Sequence, residues 1–229
     1  MRLRDVWETR APEWVRWARS PELDDDFWGF HLHEFMRFVP APGRLTVDVG
    51  CGEGRLGREL AAAGHRVVGV DASLTSARAA AAHPQGHPVV VADASRLPFR
   101  GRAADLAVAF MSLHDFDDLP GAIAEAARVL TVGGQLCVAL LHPVLSARMV
   151  DGYAAEQRYR FTVGQGEVQM TYEGTHRPLR AYLDAFEAAG LVLEALREPV
   201  AMGEDGAPSI KFLHLRGRLA GGAAKRRPA

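Results

Sequence analysis

The stretch Val47-Asp48-Val49-Gly50-Cys51-Gly52-Glu53-Gly54-Arg55-Leu56-Gly57 constrains this chain more than any other. A β-rich apolar run at 45–49 meets a glycine-rich turn, and a helical run at 56–63 follows, stopping at Gly64. Strand, turn and helix in that order expose backbone N–H groups at the carboxyl end of a strand, where open α/β sheets bind ligands. Glycine allows the backbone close to a ligand and into positive φ. Asp71 ends the next β-rich run, at 66–70. A carboxylate about 20 residues beyond such a turn can accept hydrogen bonds from two ribose hydroxyls. Gly52-x-Gly54-x-x-Gly57 also matches the dinucleotide fingerprint G-x-G-x-x-G, so a nicotinamide cofactor is one possible occupant.

The same alternation continues along the chain. Helix is expected at 73–82, strand at 89–92 and 106–110, helix at 120–130, and strand at 135–141 after Gly133-Gly134. Continuous apolar strands separated by helices imply a doubly wound, mostly parallel α/β sheet covered on both faces. Five segments follow. Residues 1–43 form an N-terminal helical cap carrying all four tryptophans, and 44–142 the ligand-binding core. Residues 143–175 are an insertion with a β-hairpin at 158–163 and 168–172. Residues 176–218 hold a helix at 179–189 and the last strands, at 193–197 and 210–216, and 219–229 a disordered tail.

Composition removes several function classes. A chain of 229 residues with 48% apolar residues can bury one sizeable core and is too apolar for disorder. Basic and acidic residues number 27 and 28, which gives no basic surface for nucleic acid. No apolar run nears the roughly 20 residues of a membrane span, and the charged N-terminus is unlike a secretory signal. Cys51 and Cys137 are too few for a disulfide scaffold or a cysteine-rich metal site, and suit a reducing cytoplasm.

Several strings in order carry a resemblance. Asp48-x-Gly50-x-Gly52-x-Gly54, Val68-Gly69-Val70-Asp71-Ala72-Ser73 and Val91-Ala92-Asp93-Ala94-Ser95-Arg96-Leu97-Pro98-Phe99 are followed by Asp105 to His114, by Glu125 to Leu130 and by Gly133-Gly134. Across about 44–142 the chain resembles the class I S-adenosylmethionine-dependent methyltransferases. More loosely, its C-terminal part resembles their small-molecule, ubiquinone-biosynthesis-like group. The resemblance implies a Rossmann-like sheet of seven strands with the last antiparallel, and S-adenosyl-L-methionine as cofactor. It implies that Gly50, Gly52 and Gly54 line the methionine and ribose part, with Asp48 beneath the methionine amino group. Asp71 would take the ribose hydroxyls, Ala72 and Ser73 would flank the adenine, and Asp93 and the Ala94 backbone would bind its edge. Phe110 and Met111 would meet the methionine end.

The implied reaction is in-line methyl transfer to a small-molecule acceptor, O-methylation ahead of N- or C-methylation. Alignment supplies most of its acceleration, and a phenol or activated carbon also calls for a base. His114, His142 and His176 are the catalytic candidates, because imidazole titrates near neutrality, and Asp115, right after the fourth strand with His114, is a further candidate base. Trp14, Trp17, Trp28, Tyr159 and Tyr172 are the candidate acceptor contacts. No role is assigned to His31, His33, His65, His83, His87 or His214. Asp115, Asp117 and Asp118 favour a helix N-terminus over a metal. Neither nucleic acid nor membrane is expected as a partner, and the chain is expected to be a monomer or homodimer. Two other enzymatic readings stay open: the same fold and cofactor used for sulfonium-assisted cyclisation or decarboxylation, and an NAD-dependent oxidoreductase. A third is a binding module without turnover.

Overall fold

A computed structural model describes residues 1–24, 26–165, 168–203 and 206–221. The expected tail at 219–229 therefore falls mostly outside the described residues. The core is one sheet of β1 (Thr46–Val49), β2 (Val67–Asp71), β3 (Val89–Val91), β4 (Ala104–Phe110), β5 (Leu130–Leu141), β8 (Leu191–Arg197) and β11 (Phe212–Leu219). The intervening strands β6 (Gln157–Gln165) and β7 (Val168–His176) form one antiparallel hairpin, and β9 (Val200–Met202) and β10 (Pro208–Ile210) another. In the large sheet the order is β3-β2-β1-β4-β5-β11-β8. The first five strands are parallel, and β11 runs antiparallel to both β5 and β8. Strand order reverses between β1 and β4, which opens a crevice at their carboxyl ends.

Period-two alternation divides the core between the two faces. On β4, Leu106, Val108 and Phe110 join Cys137 and Ala139 of β5 on one face. There they pack beneath Leu56 and Leu60 of α3 (Arg55–Ala62) and Leu32, Phe35 and Phe38 of α2 (Leu32–Phe38). Ala107 and Ala109 face the other way, with Leu136, Val138, Leu213 and Leu215. They pack on Ile123 of α5 (Leu119–Val129) and Tyr182 and Phe186 of α7 (Leu179–Ala188). Helix α4 (Leu74–Ala81) follows β2, and α1 (Leu3–Ala18) lies across α4 and β7.

Three details differ from the sequence reading. The second cap helix begins as a π-turn, Asp26–His31, before α2. A π-turn is a wider turn that recurs at functional sites, and here it buries both Phe27 and His31. Gly133-Gly134 lies within β5, which starts at Leu130; Gly133 has φ 80 and the register against β4 shifts there. Residue Ile210 belongs to the β9–β10 hairpin, so the last sheet strand begins at Phe212.

Asp118 caps α5, its carboxylate accepting from Gly121 N–H at 2.9 Å. Asp118→Ala is expected to cost about 1 kcal/mol and lower the melting temperature by roughly 2–4 °C. Thermal unfolding at neutral pH reads this directly, and an unchanged midpoint removes the cap from the stability account.

Candidate active site

The glycine turn after β1 is tied to the end of β2. Gly50 and Cys51 N–H both donate to Val70 C=O, at 2.8 and 3.0 Å. Gly52 N–H donates to Asp71 Oδ2 at 2.7 Å, and Ser73 N–H donates to Asp71 Oδ1 at 2.8 Å. Gly52 has φ +57, and a Cβ there would run into the indole of Trp14, so both torsion and space require glycine. From the other side, Ser112 Oγ donates to Val49 C=O at 2.8 Å. Met111, beside it, sits at φ 53. A left-handed residue other than glycine costs energy that the surroundings must hold, and such residues gather at ligand sites.

Asp48 lies on the floor of the crevice, 1% exposed, and neither carboxylate oxygen has a hydrogen-bond partner among the described residues. Burial, reinforced by the charge of Asp71, raises its pKa to about 7. Asp71 is raised too, by burial, against which its bonds from the Ser73 and Gly52 N–H groups work.

Helix α1 roofs this crevice through polar contacts. Arg4 pairs with Asp93 Oδ2 at 3.2 Å, while Asp93 Oδ1 accepts from Ser95 N–H and Oγ at 2.9 and 2.8 Å. Glu8 accepts from Ser73 Oγ at 2.5 Å and Thr75 Oγ1 at 2.8 Å; these bonds hold its carboxyl below the usual range. Arg10 pairs with Glu173 of β7 at 3.0 Å. The roof is aromatic within. Trp7, Trp14 and Tyr172 meet edge to face with centroids 6.1–6.5 Å apart, and Phe161 stacks on Tyr172 at 5.0 Å. The Arg55 guanidinium lies over Phe27 at 3.6 Å and Trp14 at 4.6 Å, paired with Asp24 at 2.5 Å.

These parts enclose one cavity of about 1020 Å³. Asp48, Gly50, Gly52, Asp71, Ala72, Ser73, Asp93, Ala94, Phe110 and Met111 all line it, as do Trp14, Trp17, Tyr159, Tyr172 and His114. Four other sequence candidates lie elsewhere. Gly54 starts α3 with φ +84, and a Cβ there would press on Ala80 and His87. Trp28 packs edge-on against Phe27 in the core, at 4.7 Å. His142 caps α6 (Pro143–Ser146): its Nδ1 accepts from Val144 N–H at 3.1 Å, so Nε2 donates to Glu198 at 2.9 Å. His176 is fully buried, its Nε2 donating to Tyr153 C=O at 2.9 Å and its Nδ1 accepting from Ser146 Oγ at 2.7 Å.

His114 faces the cavity with Nδ1 buried and unpartnered among the described residues; burial, then the Arg177 charge, lowers its pKa to about 4. Asp115 beside it is pushed well above the carboxylate range by burial, with Arg177 opposing. The acidic run after β4 divides its work: Asp115 faces the cavity, Asp117 accepts from Leu3 N–H at 2.9 Å and Asp118 caps α5. Sequence reasoning passed over Arg55 and His31 as cavity residues, whereas Asp115, a candidate base in the sequence, does line the cavity. Arg55 had a signal, since it opens the helix after the turn, but its aromatic clamp comes from 14 and 27, which no local spacing links to it.

An adenosine ligand bearing an amino-acid end fits this site. The unpartnered Asp48 carboxylate calls for a cationic N–H donor, and the Gly50–Gly52 backbone leaves room beside it. The comparisons agree. A family profile described as Methyltransferase domain matches residues 47–138. The chain is similar to the demethylmenaquinone methyltransferase of Corynebacterium kroppenstedtii, 36% identical over 102 residues, 44% of each chain. It is similar to a ubiquinone/menaquinone biosynthesis C-methyltransferase of Caulobacter sp., 29% identical over 79% of this chain and 80% of that one. Against the first of these the match spans under half of the relative's length. Its fold matches the crystal structure of an S-adenosylmethionine-dependent methyltransferase from Mesorhizobium loti, with TM-score 0.64 and 21% identity over 83% of this chain and 99% of that one.

Proposed function

We propose that this chain, a class I S-adenosylmethionine-dependent methyltransferase, methylates a small aromatic or enolic acceptor with an ionisable hydroxyl. O-methylation is favoured, and C-methylation beside the hydroxyl comes second. The observation that carries this is the single cavity: the Asp48–Gly52–Asp71 floor at one end opens directly onto the Trp7–Trp14–Tyr172–Phe161 wall at the other.

When bound, the cofactor supplies a methyl group activated by a sulfonium. The protein's part is to bind, orient and exclude water. Asp48 and the Gly50–Gly52 backbone hold the amino-acid end, Asp71 the ribose and the Asp93–Ala94 turn the adenine. Phe110 and Met111, which line the cavity, would meet the methionine end. Tyr172, Trp14 and Trp17 offer a flat acceptor aromatic contacts worth about 0.5–1.5 kcal/mol each beyond burial. His114 offers it a hydrogen bond from a neutral ring. Among the described residues no helix is long and apolar enough to cross a membrane, and with two free cysteines a cytoplasmic setting fits.

Calorimetry and thermal unfolding with S-adenosylhomocysteine, S-adenosylmethionine and NAD test the cofactor half. At about 100-fold the dissociation constant, the adenosyl-sulfur ligands stabilise by roughly 2.7 kcal/mol, a shift of several degrees, and NAD gives none. A shift with NAD alone promotes the oxidoreductase. An acceptor screen of phenols and hydroquinones by mass tests the other half. A gain of one methylene supports the reading, whereas cofactor-dependent conversion without it points to sulfonium-assisted cyclisation or decarboxylation.

A further inference from the structure

His31 and His214 are both buried, 2% and 1% exposed, and their Nε2 atoms lie 3.0 Å apart. They join distant parts of the chain, the π-turn of the cap and β11. The His31 ring stacks on Phe212 at 3.6 Å and lies 4.5 Å from Phe110, and all three residues line the cavity. His214 instead borders a second cavity of about 300 Å³, beside Glu34, Arg37, Arg197 and Glu198. A hydrogen bond between two neutral imidazoles needs one N–H and one lone pair, so the pair has two tautomeric arrangements. Neither Nδ1 hydrogen-bonds a described residue, and neither is among the sealed-off polar atoms, so each ring has a second nitrogen in reach of its own cavity.

We propose that His31 is the proton acceptor of the methyl-transfer reaction and that His214 is the positioning residue that fixes its tautomer. The inference rests on the methyltransferase reading above. Replacing an acceptor's O–H or C–H hydrogen with methyl releases one proton, and the positive charge lost from the sulfonium reappears on that proton. His31 takes it at Nδ1 and becomes imidazolium. It then returns the proton to water once the product has left. For this, His31 must carry its hydrogen on Nε2, donate to His214 Nε2 and turn a lone pair toward the cavity. His214 then carries its hydrogen on Nδ1, directed to the second cavity, where Glu34 and Glu198 stand with Arg37 and Arg197; Glu34 pairs with Arg37 at 2.6 Å and Glu198 accepts from His142 at 2.9 Å. On the first side, the positive charge of Arg55, which acts on His31, favours a lone pair over an N–H. Burial, the His214 ring and Arg55 all keep His31 neutral in the resting protein, and among the described residues Asp24, paired with Arg55, and the Asp26–Lys211 pair, at 2.7 Å, also line that cavity.

The deciding measurement needs no acceptor: nitrogen chemical shifts of histidine-labelled protein, with and without S-adenosylhomocysteine. The expected result is His31 protonated at Nε2 and His214 at Nδ1, assigned with the variants His31→Gln and His214→Gln. The opposite tautomers overturn the proposal whatever the protein methylates. Turnover then adds a second arm, using S-adenosylmethionine with catechol, 4-hydroxybenzoate and a naphthohydroquinone. His31→Gln should lose about 10²–10⁴-fold in turnover, with S-adenosylhomocysteine affinity held within a few-fold and the acid limb of the pH–rate profile gone. His214→Gln should retain more turnover and move that limb. A His31→Gln variant with wild-type turnover and profile overturns the proposal. Wild-type protein that does not bind S-adenosylhomocysteine instead sinks the cofactor reading, and the tautomer result still stands by itself.

Discussion

Asparagine in place of Asp48 is expected to make the ligand-free protein more stable and the cofactor site much weaker. The carboxyl is buried without a hydrogen-bond partner among the described residues, and its pKa is raised to about 7 from 3.8. An acid whose folded pKa lies above its unfolded one is destabilising wherever the unfolded chain is ionised. The penalty is absent below about pH 4, grows between 4 and 7 and is complete above 7, where it reaches roughly 4 kcal/mol. Asparagine removes the charge and keeps the shape, though its own buried amide returns part of the gain. The expected rise in melting temperature is on the order of 10 °C at pH 8 and close to zero at pH 4. Affinity for S-adenosylhomocysteine should fall by about 10- to 100-fold, since a hydrogen bond to a charged group is worth roughly 1.5–3 kcal/mol. In the wild type, affinity should also weaken as pH drops through about 7, because ligand binding must then expel the proton; the variant should lose that dependence. Equal melting curves at pH 8 show that Asp48 is solvated or paired in solution.

The glycine-turn half of this cavity was legible because backbone geometry writes itself into local sequence. Gly50 and Gly52 are required by positive φ and by the approach of Ser112 and Trp14, and Asp71 by a bond back to Gly52. Each leaves a residue type at a fixed spacing from a strand end. Gly54 shows the limit of that logic: it fits the same string, but packing against Ala80 and His87 explains it. The sheet was legible for a similar reason, since residues 106–110 of β4 and 136–140 of β5 are buried on both faces and read as unbroken apolar runs.

The aromatic half of the cavity was legible only in part: Trp14, Trp17, Tyr159, Tyr172 and His114 stood out in the sequence and line it, but the contacts among its side chains come from tertiary packing alone. Arg55 meets Trp14 and Phe27, and His31 meets His214 across 183 positions. The histidines that stood out locally, His142 and His176, follow turns and strand ends where a ring also makes a good cap or brace, and both rings are engaged on both nitrogens. His31 has no such local mark. Its neighbours in sequence read as a helix of aromatic residues, and the π-turn that buries it has no signature in the hydrophobic period.

Alanine at Asp71 is expected to cost more binding than the loss of a ribose contact alone. One carboxylate oxygen accepts from Gly52 N–H at 2.7 Å and the other from Ser73 N–H at 2.8 Å, so the side chain ties the glycine turn to the loop that opens α4. Ser73 in turn caps that helix and donates to Glu8 of the roof. Alanine therefore removes the ligand's acceptor, frees two buried N–H groups and loosens α1 over the cavity. Each charge-assisted bond is worth roughly 1.5–3 kcal/mol, so affinity for S-adenosylhomocysteine should fall on the order of 1,000-fold. Asp71→Asn separates the two roles. It can keep one N–H bond to its amide oxygen but not both, and it lacks the charge that draws ribose hydroxyls, so its affinity should lie between wild type and alanine. The roof contact has its own reporter: Glu8→Gln keeps Asp71 and weakens only the latch, and should speed ligand dissociation more than it slows association. Calorimetry and stopped-flow binding across the three variants give the order. If Asp71→Ala binds as wild type does, the ribose assignment and the argument from the glycine turn fail together.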